Sequence, residues 1–308
     1  MGLRIRTNVQ SLTAQRHMGL SGQAVAKQSE KLASGYRINR GADDAAGFAI
    51  AEVLKADIRS LGQARRNAND GISLVQVAEG GLEEVNNILI RLRELSIQSA
   101  SDTIGTRERR YLGEEYNALK DEIDRIALST EFNGTRLLIG HKEVPDELLK
   151  DHNFSPLEIQ VGKDYLPMAD ALDKGNPINV IRLNFQNFNA STDGEGSLGL
   201  GSSQNPEGTG VETKVHAQNS IMSVEKAMQS VASFRGTLGS LQNRLESTDR
   251  NLSIQVENLG AARSRIKDAD FAAESAELTQ QQILQQAGAA VLVQANQFPN
   301  IALKLLQG

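Results

Sequence analysis

Val224, Val231, Leu238, Leu245, Leu252, Leu259 and Ile266 stand seven residues apart without interruption. A seven-residue step advances an α-helix by almost two turns, so these side chains share one narrow stripe. At about 1.5 Å per residue the stripe runs on the order of 60 Å. No compact domain of ordinary width covers a stripe of that length. It requires other long helices beside it.

The front half of the chain carries a matching series, Leu54, Leu61, Ala68, Val75, Leu82 and Leu89. Ile58 and Ile72 flank it, and Val85, Ile88, Leu92 and Leu95 widen it. A shorter run, Leu112, Tyr116, Leu119, Ile123 and Ile126, repeats at four and three residues. Each segment reads as a helix by period and length. Arg65, Glu79 and Asn86 interrupt the second row of the front series, which favours a multi-helix bundle over a two-stranded coiled coil. Five of the six prolines lie in 145–206, with none before Pro145 and none between Pro206 and Pro299, so two long arms without helix breakers bracket the centre. The expected fold is therefore mainly α, an elongated rod of long antiparallel helices in which the C-terminal arm folds back on the N-terminal one. A small β-hairpin or sheet region comes from the middle of the chain.

That middle holds two segments with partial alternation, Leu157–Val161 and Ile178–Phe185, bounded by Gly162, Gly175, Asn176 and Pro177. Residues 193–210 are rich in Gly and Ser, and the expectation for them is a mobile loop. Gly194, Gly196 and Gly199 spell a Gly-x-Gly-x-x-Gly pattern, but no helix follows it, so it reads as loop and not as a nucleotide cradle.

Composition removes several classes of function. The net charge is −5 with both signs mixed throughout, and aromatics are few, which leaves neither a basic patch nor a stacking surface for nucleic acid. Cysteine is absent, which excludes disulfides, thiolate metal sites and a cysteine nucleophile. His17, His141, His152 and His216 are scattered without ligand spacing. The reading is no metal, no cofactor, no catalytic constellation and no enzyme. Residues 1–6 contain no apolar run of the signal-peptide kind. Residues 278–303 lack charge but hold seven glutamines and two asparagines, which makes insertion in hydrocarbon costly.

The ends are apolar. Val9, Leu12, Met18, Val25 and Leu32 mark the first arm; Leu278, Ile283, Leu284, Val291, Phe298, Leu305 and Leu306 mark the last. Two readings stand: a helical hairpin packed within one chain, or ends that pack against other copies. The uncharged stretch 278–303 favours the second, because a charge at a contact between identical helices meets its own like charge.

Several motifs then carry a family resemblance: Ser34-Gly-Tyr-Arg-Ile-Asn39, Asp43-Asp-Ala-Ala-Gly47, Ala64-Arg-Arg-Asn-Ala-Asn-Asp-Gly-Ile-Ser73 and Arg91-Leu-Arg-Glu-Leu95 in the front arm, and Phe132-Asn-Gly134 after it. The rear arm adds Gln242-Asn-Arg-Leu245, Ile283-Leu-Gln-Gln-Ala-Gly288 and Gln294-Ala-Asn-Gln297. Together they resemble bacterial flagellin of a compact type, over roughly 1–140 and 217–308.

The resemblance implies a terminal coiled-coil domain from 1–40 and 268–308, a helical core from 41–140 and 217–267, and a central β-hairpin with variable loops in 141–216. Arg37–Gly47 matches the linker between the layers. It implies a structural subunit that polymerises into the extracellular flagellar filament. Export would be unfolded, through the flagellar type III apparatus, and the termini would fold on assembly. Expected partners are other copies, paralogous flagellins, cap and hook-junction proteins, and an export chaperone on the C-terminal arm. A host Toll-like receptor would read Arg91, Leu95, Gln98 and Glu115. The tail ends Leu-Leu-Gln-Gly and so departs from the family's usual ending, which weakens the match to the segment sensed by inflammasome receptors. The alternatives are a hook–filament junction protein and, in a different class, a soluble coiled-coil adaptor.

Overall fold

The computed structural model describes residues 8–139, 157–164, 179–190, 198–201 and 208–307, with side chains placed up to Gln297. Among these residues five helices carry most of the chain: α1 (Val9–Ser34), α2 (Ala45–Ala100), α3 (Thr106–Ser129), α4 (Lys214–Lys267) and α5 (Phe271–Gln307). Each start except that of α3 has a side-chain cap on orphaned amides. Asn8 accepts from the Ser11 amide at 3.1 Å, Asp44 from Gly47 at 3.0 Å, Thr213 from His216 at 3.2 Å and Asp270 from Ala272 at 2.9 Å. Two compact units divide the chain, one taking residues up to Arg59 and from Glu257 onward, the other Ser60–Val256. These divisions fall inside α2 and α4.

In the Ser60–Val256 unit α2 and α4 run antiparallel. Arg65 meets Asp249 at 3.6 Å, Glu79 meets Arg235 at 3.6 Å and Arg93 meets Glu225 at 3.8 Å, so partners descend as α2 ascends. Arg65 and Glu79, which break the apolar row, thus bridge the two helices. Between the helices lie Leu61, Ala68, Val75, Leu82 and Leu89 from one side and Val224, Val231, Leu238, Leu245 and Leu252 from the other, all buried. Leu54, Leu259 and Ile266, in the other unit, continue the two rows but are only half-buried. The α3 residues Tyr116, Ile123 and Ala127 complete the core.

Two antiparallel hairpins accompany this bundle. Glu131–Phe132 (β1) pairs with Thr135–Arg136 (β2), joined by Asn133 and Gly134 at φ +51 and +77. Positive φ at both central residues makes this a type I′ turn, the geometry that Asn-Gly favours. Leu157–Gln160 (β3) pairs with Val180–Leu183 (β4), within the segments expected to be strands. Gly71 of α2 lets β3 approach: a β-carbon there would run into Ile159 and press on Leu245. The Asn67 amide donates to the Gln160 carbonyl at 3.0 Å beside it.

The described parts of the Gly/Ser-rich segment are packed, contrary to the mobile loop expected for 193–210; Gly194 and Gly196 lie outside the described residues. Leu198 and Leu200 are buried and their amides bond the Asn189 and Ala190 carbonyls, each at 3.0 Å. Asp124 accepts from the Ala190 amide at 2.6 Å, and the Tyr116 hydroxyl donates to Thr209 at 2.9 Å. Lys120 is 3% exposed; its ammonium donates to the Thr209 carbonyl at 3.0 Å and lies 5.6 Å from the Tyr116 ring centre. Burial pushes the Lys120 ammonium down from its ordinary pKa and the Tyr116 hydroxyl and Asp124 carboxyl up.

Leu245→Ala should cost about 2–5 kcal/mol of core stability, read as a lower urea midpoint of the soluble chain; an unchanged midpoint contradicts its burial. Lys120 gives a pH signature. Its folded pKa lies below its unfolded value, so the unfolded chain binds more protons between the two and stability rises with pH there. The wild-type advantage over Lys120→Met should therefore grow as pH climbs toward the ordinary lysine pKa. A pH-independent difference would mean Lys120 is solvated.

Candidate assembly surface of the terminal helices

In the unit formed by the chain ends, α1 and α5 pair antiparallel. Asn8 meets Ala295, Ser11 meets Asn296, Gly22 approaches Gln285, and Lys31 meets Glu274. At the end of this pair Gly35 closes α1, and its carbonyl accepts from the Ala269 amide at 3.0 Å. Tyr36 forms a β-bridge with Asp268, and the Arg37 amide donates to the Lys267 carbonyl at 2.8 Å.

Lys267 is the centre of this joint. Its ammonium bonds Glu52 at 3.1 Å and lies 5.1 Å from the Tyr36 ring centre and 5.4 Å from that of Phe48. A cation between two aromatic faces gains from both ring quadrupoles, and the Lys267 hydrogen bond leads the causes that hold Glu52 below the usual carboxylate range. Arg37–Gly47 is ordered by backbone capture. Asp43 accepts from the Asn39 amide at 3.3 Å and the Arg40 amide at 3.2 Å, and pairs with Lys27 at 2.8 Å, while Arg40 pairs with Glu30. Arg37 donates to the Ile266 carbonyl. The arginines therefore do not pair with Asp43 and Asp44 as neighbours. Nothing in the sequence pattern marks Lys267 or Glu52; the signal would be a lysine at a helix end facing aromatics from a distant segment.

The α1–α5 pair is a hairpin within one chain, yet it buries little. Its 26-residue first helix buries only Ser11 and Ala14. Val9, Leu12, Ile283, Leu284 and Val291 are exposed, as are Leu20, Val293 and Phe271, over a range of 47% to 72%. Met18, Val25, Leu32 and Leu278 are half-buried. The side chains of Phe298, Leu305 and Leu306 lie outside the described residues. Full burial of each exposed Val, Leu or Ile is worth about 1.5–3 kcal/mol, so this surface carries a large unrealised gain. The internal pairing of the ends is present, and it leaves many aliphatic side chains uncovered. No described helix is long and apolar enough to cross a membrane.

A second site expected from the resemblance divides. Arg91 bonds Glu115 at 2.8 Å and Glu94 at 3.0 Å, and Arg91, Gln98 and Glu115 are exposed. Leu95 is fully buried in the core and offers no surface, because it continues the inward row of Leu82, Leu89 and Leu92.

A family model of the bacterial flagellin N-terminal helical region matches residues 5–143, and one of the bacterial flagellin C-terminal helical region matches residues 221–306. The chain belongs to the bacterial flagellin family. It is 37% identical to a flagellin of Halalkalibacterium halodurans over 303 residues, 98% of this chain and 99% of that one. It is 38% identical to the flagellin of Bacillus subtilis over 320 residues, 99% of this chain and 100% of that one. A solved structure of a putative flagellar hook-associated protein from Vibrio parahaemolyticus has a TM-score of 0.55 and covers 73% of this chain, but at 14% identity that likeness is one of fold alone. As a flagellin the chain is a subunit of the flagellar filament, and the hook–filament junction alternative is the less supported.

Lys267→Ala should loosen the joint and speed chymotryptic cleavage at Tyr36 and Phe48, mapped by mass spectrometry. Cleavage at wild-type rates would show that the cation does not hold the two rings.

Proposed function

We propose that this flagellin polymerises through the uncovered face of its α1–α5 pair, with Val9, Leu12, Ile283, Leu284 and Val291 buried against other copies. Met18, Val25, Leu32 and Leu278 keep the pair together, and Phe298, Leu305 and Leu306 extend the same apolar series toward the C-terminus. The observation that carries this is the combination of many exposed aliphatic side chains with a helix uncharged from Leu278 through Leu303. Exposed aliphatics call for a cover. The missing charges allow that cover to be the same helix in a neighbouring copy, without like-charge repulsion. Gln280, Gln281, Gln282, Gln285 and Gln286 supply donors and acceptors that suit any neighbour.

The chain is then a non-enzymatic building block. We place it outside the cell, exported unfolded through the flagellar type III apparatus, with a chaperone covering the apolar C-terminal arm beforehand. A disordered arm that folds on assembly recovers its ordering cost from the apolar area it buries. Cap and hook-junction proteins and paralogous flagellins would meet the same terminal face. A Toll-like receptor would read Arg91, Gln98 and Glu115 as an exposed polar patch, with Leu95 supporting it from beneath.

Ile283→Glu and Val291→Glu each place a carboxylate on this face. Seeded purified chain should grow long filaments, and each variant should stop short of them while keeping its core unfolding transition. Growth of either variant at the wild-type rate would refute the proposed surface.

A further inference from the structure

We propose that Asn8 is the positioning residue that sets the register of the terminal hairpin, by supplying the hydrogen bond that Pro299 removes from α5. This deepens the proposed assembly reading and rests on it. Proline has no backbone N–H, and within a helix it leaves the carbonyl four residues earlier without its partner. Pro299 lies inside Phe271–Gln307, and four residues earlier stands Ala295. The Asn8 side-chain amide donates to that Ala295 carbonyl at 2.7 Å. The carbonyl is not left to water: Ala295 is 4% exposed and is the one buried residue among the described side chains of α5.

The same side chain closes the other helix. Asn8 Oδ1 accepts from the Ser11 amide at 3.1 Å as the cap of α1, and Ser11 Oγ donates to Asn296 Oδ1 at 2.8 Å. One amide thus satisfies an orphan donor at the start of α1 and an orphan acceptor in α5. Shifting α1 by one residue would carry the cap along with it but would leave the Ala295 carbonyl without its donor and part Ser11 from Asn296, in a pair whose other contacts are mostly small or half-buried side chains. Proline provides the vacancy, and asparagine is matched to it because its one carboxamide carries both an acceptor and a donor. Register matters for assembly, since it decides which aliphatics of each helix lie side by side on the exposed face.

Asn8→Asp separates the two roles, because aspartate keeps the cap acceptor and loses the donor. In seeded polymerisation of the full chain it should raise the critical concentration about tenfold, the loss expected for one unmet buried carbonyl. Pro299→Ala restores an N–H for the Ala295 carbonyl. The Asn8→Asp penalty should therefore shrink to a small factor in the Pro299→Ala background, and an equal penalty in both backgrounds overturns the proposal, as does an unchanged critical concentration for Asn8→Asp alone. If Pro299→Ala itself does not polymerise, solid-state NMR decides. With carbonyl-13C alanine and 15N asparagine, only Ala68–Asn69 and Ala295–Asn296 give carbonyl–nitrogen peaks. In filaments grown from a labelled Asn8→Asp minority with unlabelled wild type, the Ala295 peak should move while Ala68 stays. An unmoved Ala295 peak overturns the proposal. Wild-type chain that fails to polymerise would instead refute the assembly reading.

Discussion

Antiparallel burial of the α2 apolar row against that of α4 is the constraint on which the Ser60–Val256 unit rests. Val75, Leu82 and Leu89 on one side and Val231, Leu238 and Leu245 on the other are almost wholly removed from water. Non-directional burial of this kind fixes which faces meet but not how far one helix slides along the other. The crossing pairs Arg65–Asp249 and Glu79–Arg235 mark the register, and Gly71 makes room on α2 for the Ile159 side chain of β3. With the helices in register, Tyr116, Lys120 and Asp124 of α3 present the polar groups that hold the segment around Ala190 and Thr209.

The terminal unit works under the opposite condition. Its helices pair along their length, yet the pair covers small residues and leaves aliphatic ones in water. Backbone and cap hydrogen bonds at Gly35, Asn8 and Lys267 define its geometry more than apolar packing does. Such a unit has little apolar burial of its own to stabilise it. The uncharged stretch from Leu278 through Leu303 is suited to meeting copies of itself, and under the assembly proposed above those neighbours are other subunits of the filament.

Much of the fold was legible because it rests on period. Seven-residue spacing is a property of helix geometry and survives any tertiary context, so α2 and α4 follow from the Leu and Val positions. The Asn133-Gly134 turn was legible only as part of a family motif, and the hairpin it closes lies before the 141–216 stretch where one was expected, although few other residue pairs tolerate its dihedral angles. The polar joints were not legible. Lys120 is one of many lysines by sequence, and its burial depends on Thr209, 89 residues away. Lys267 needs Glu52, 215 residues distant, with the ring of Phe48 on the same helix and that of Tyr36 before it. Long-range polar contacts of this kind leave no periodic trace. Leu95 shows the converse, where motif matching placed on the surface a side chain that the heptad row sends inward.

The structure of the assembled filament tests the account most directly. At side-chain resolution the α1–α5 pair of each subunit should keep the Asn8–Ala295 and Lys31–Glu274 register, and Val9, Leu12, Ile283, Leu284 and Val291 should be buried against neighbouring copies. If those aliphatics face open solvent while other surfaces join the subunits, the terminal face is not what assembles this protein.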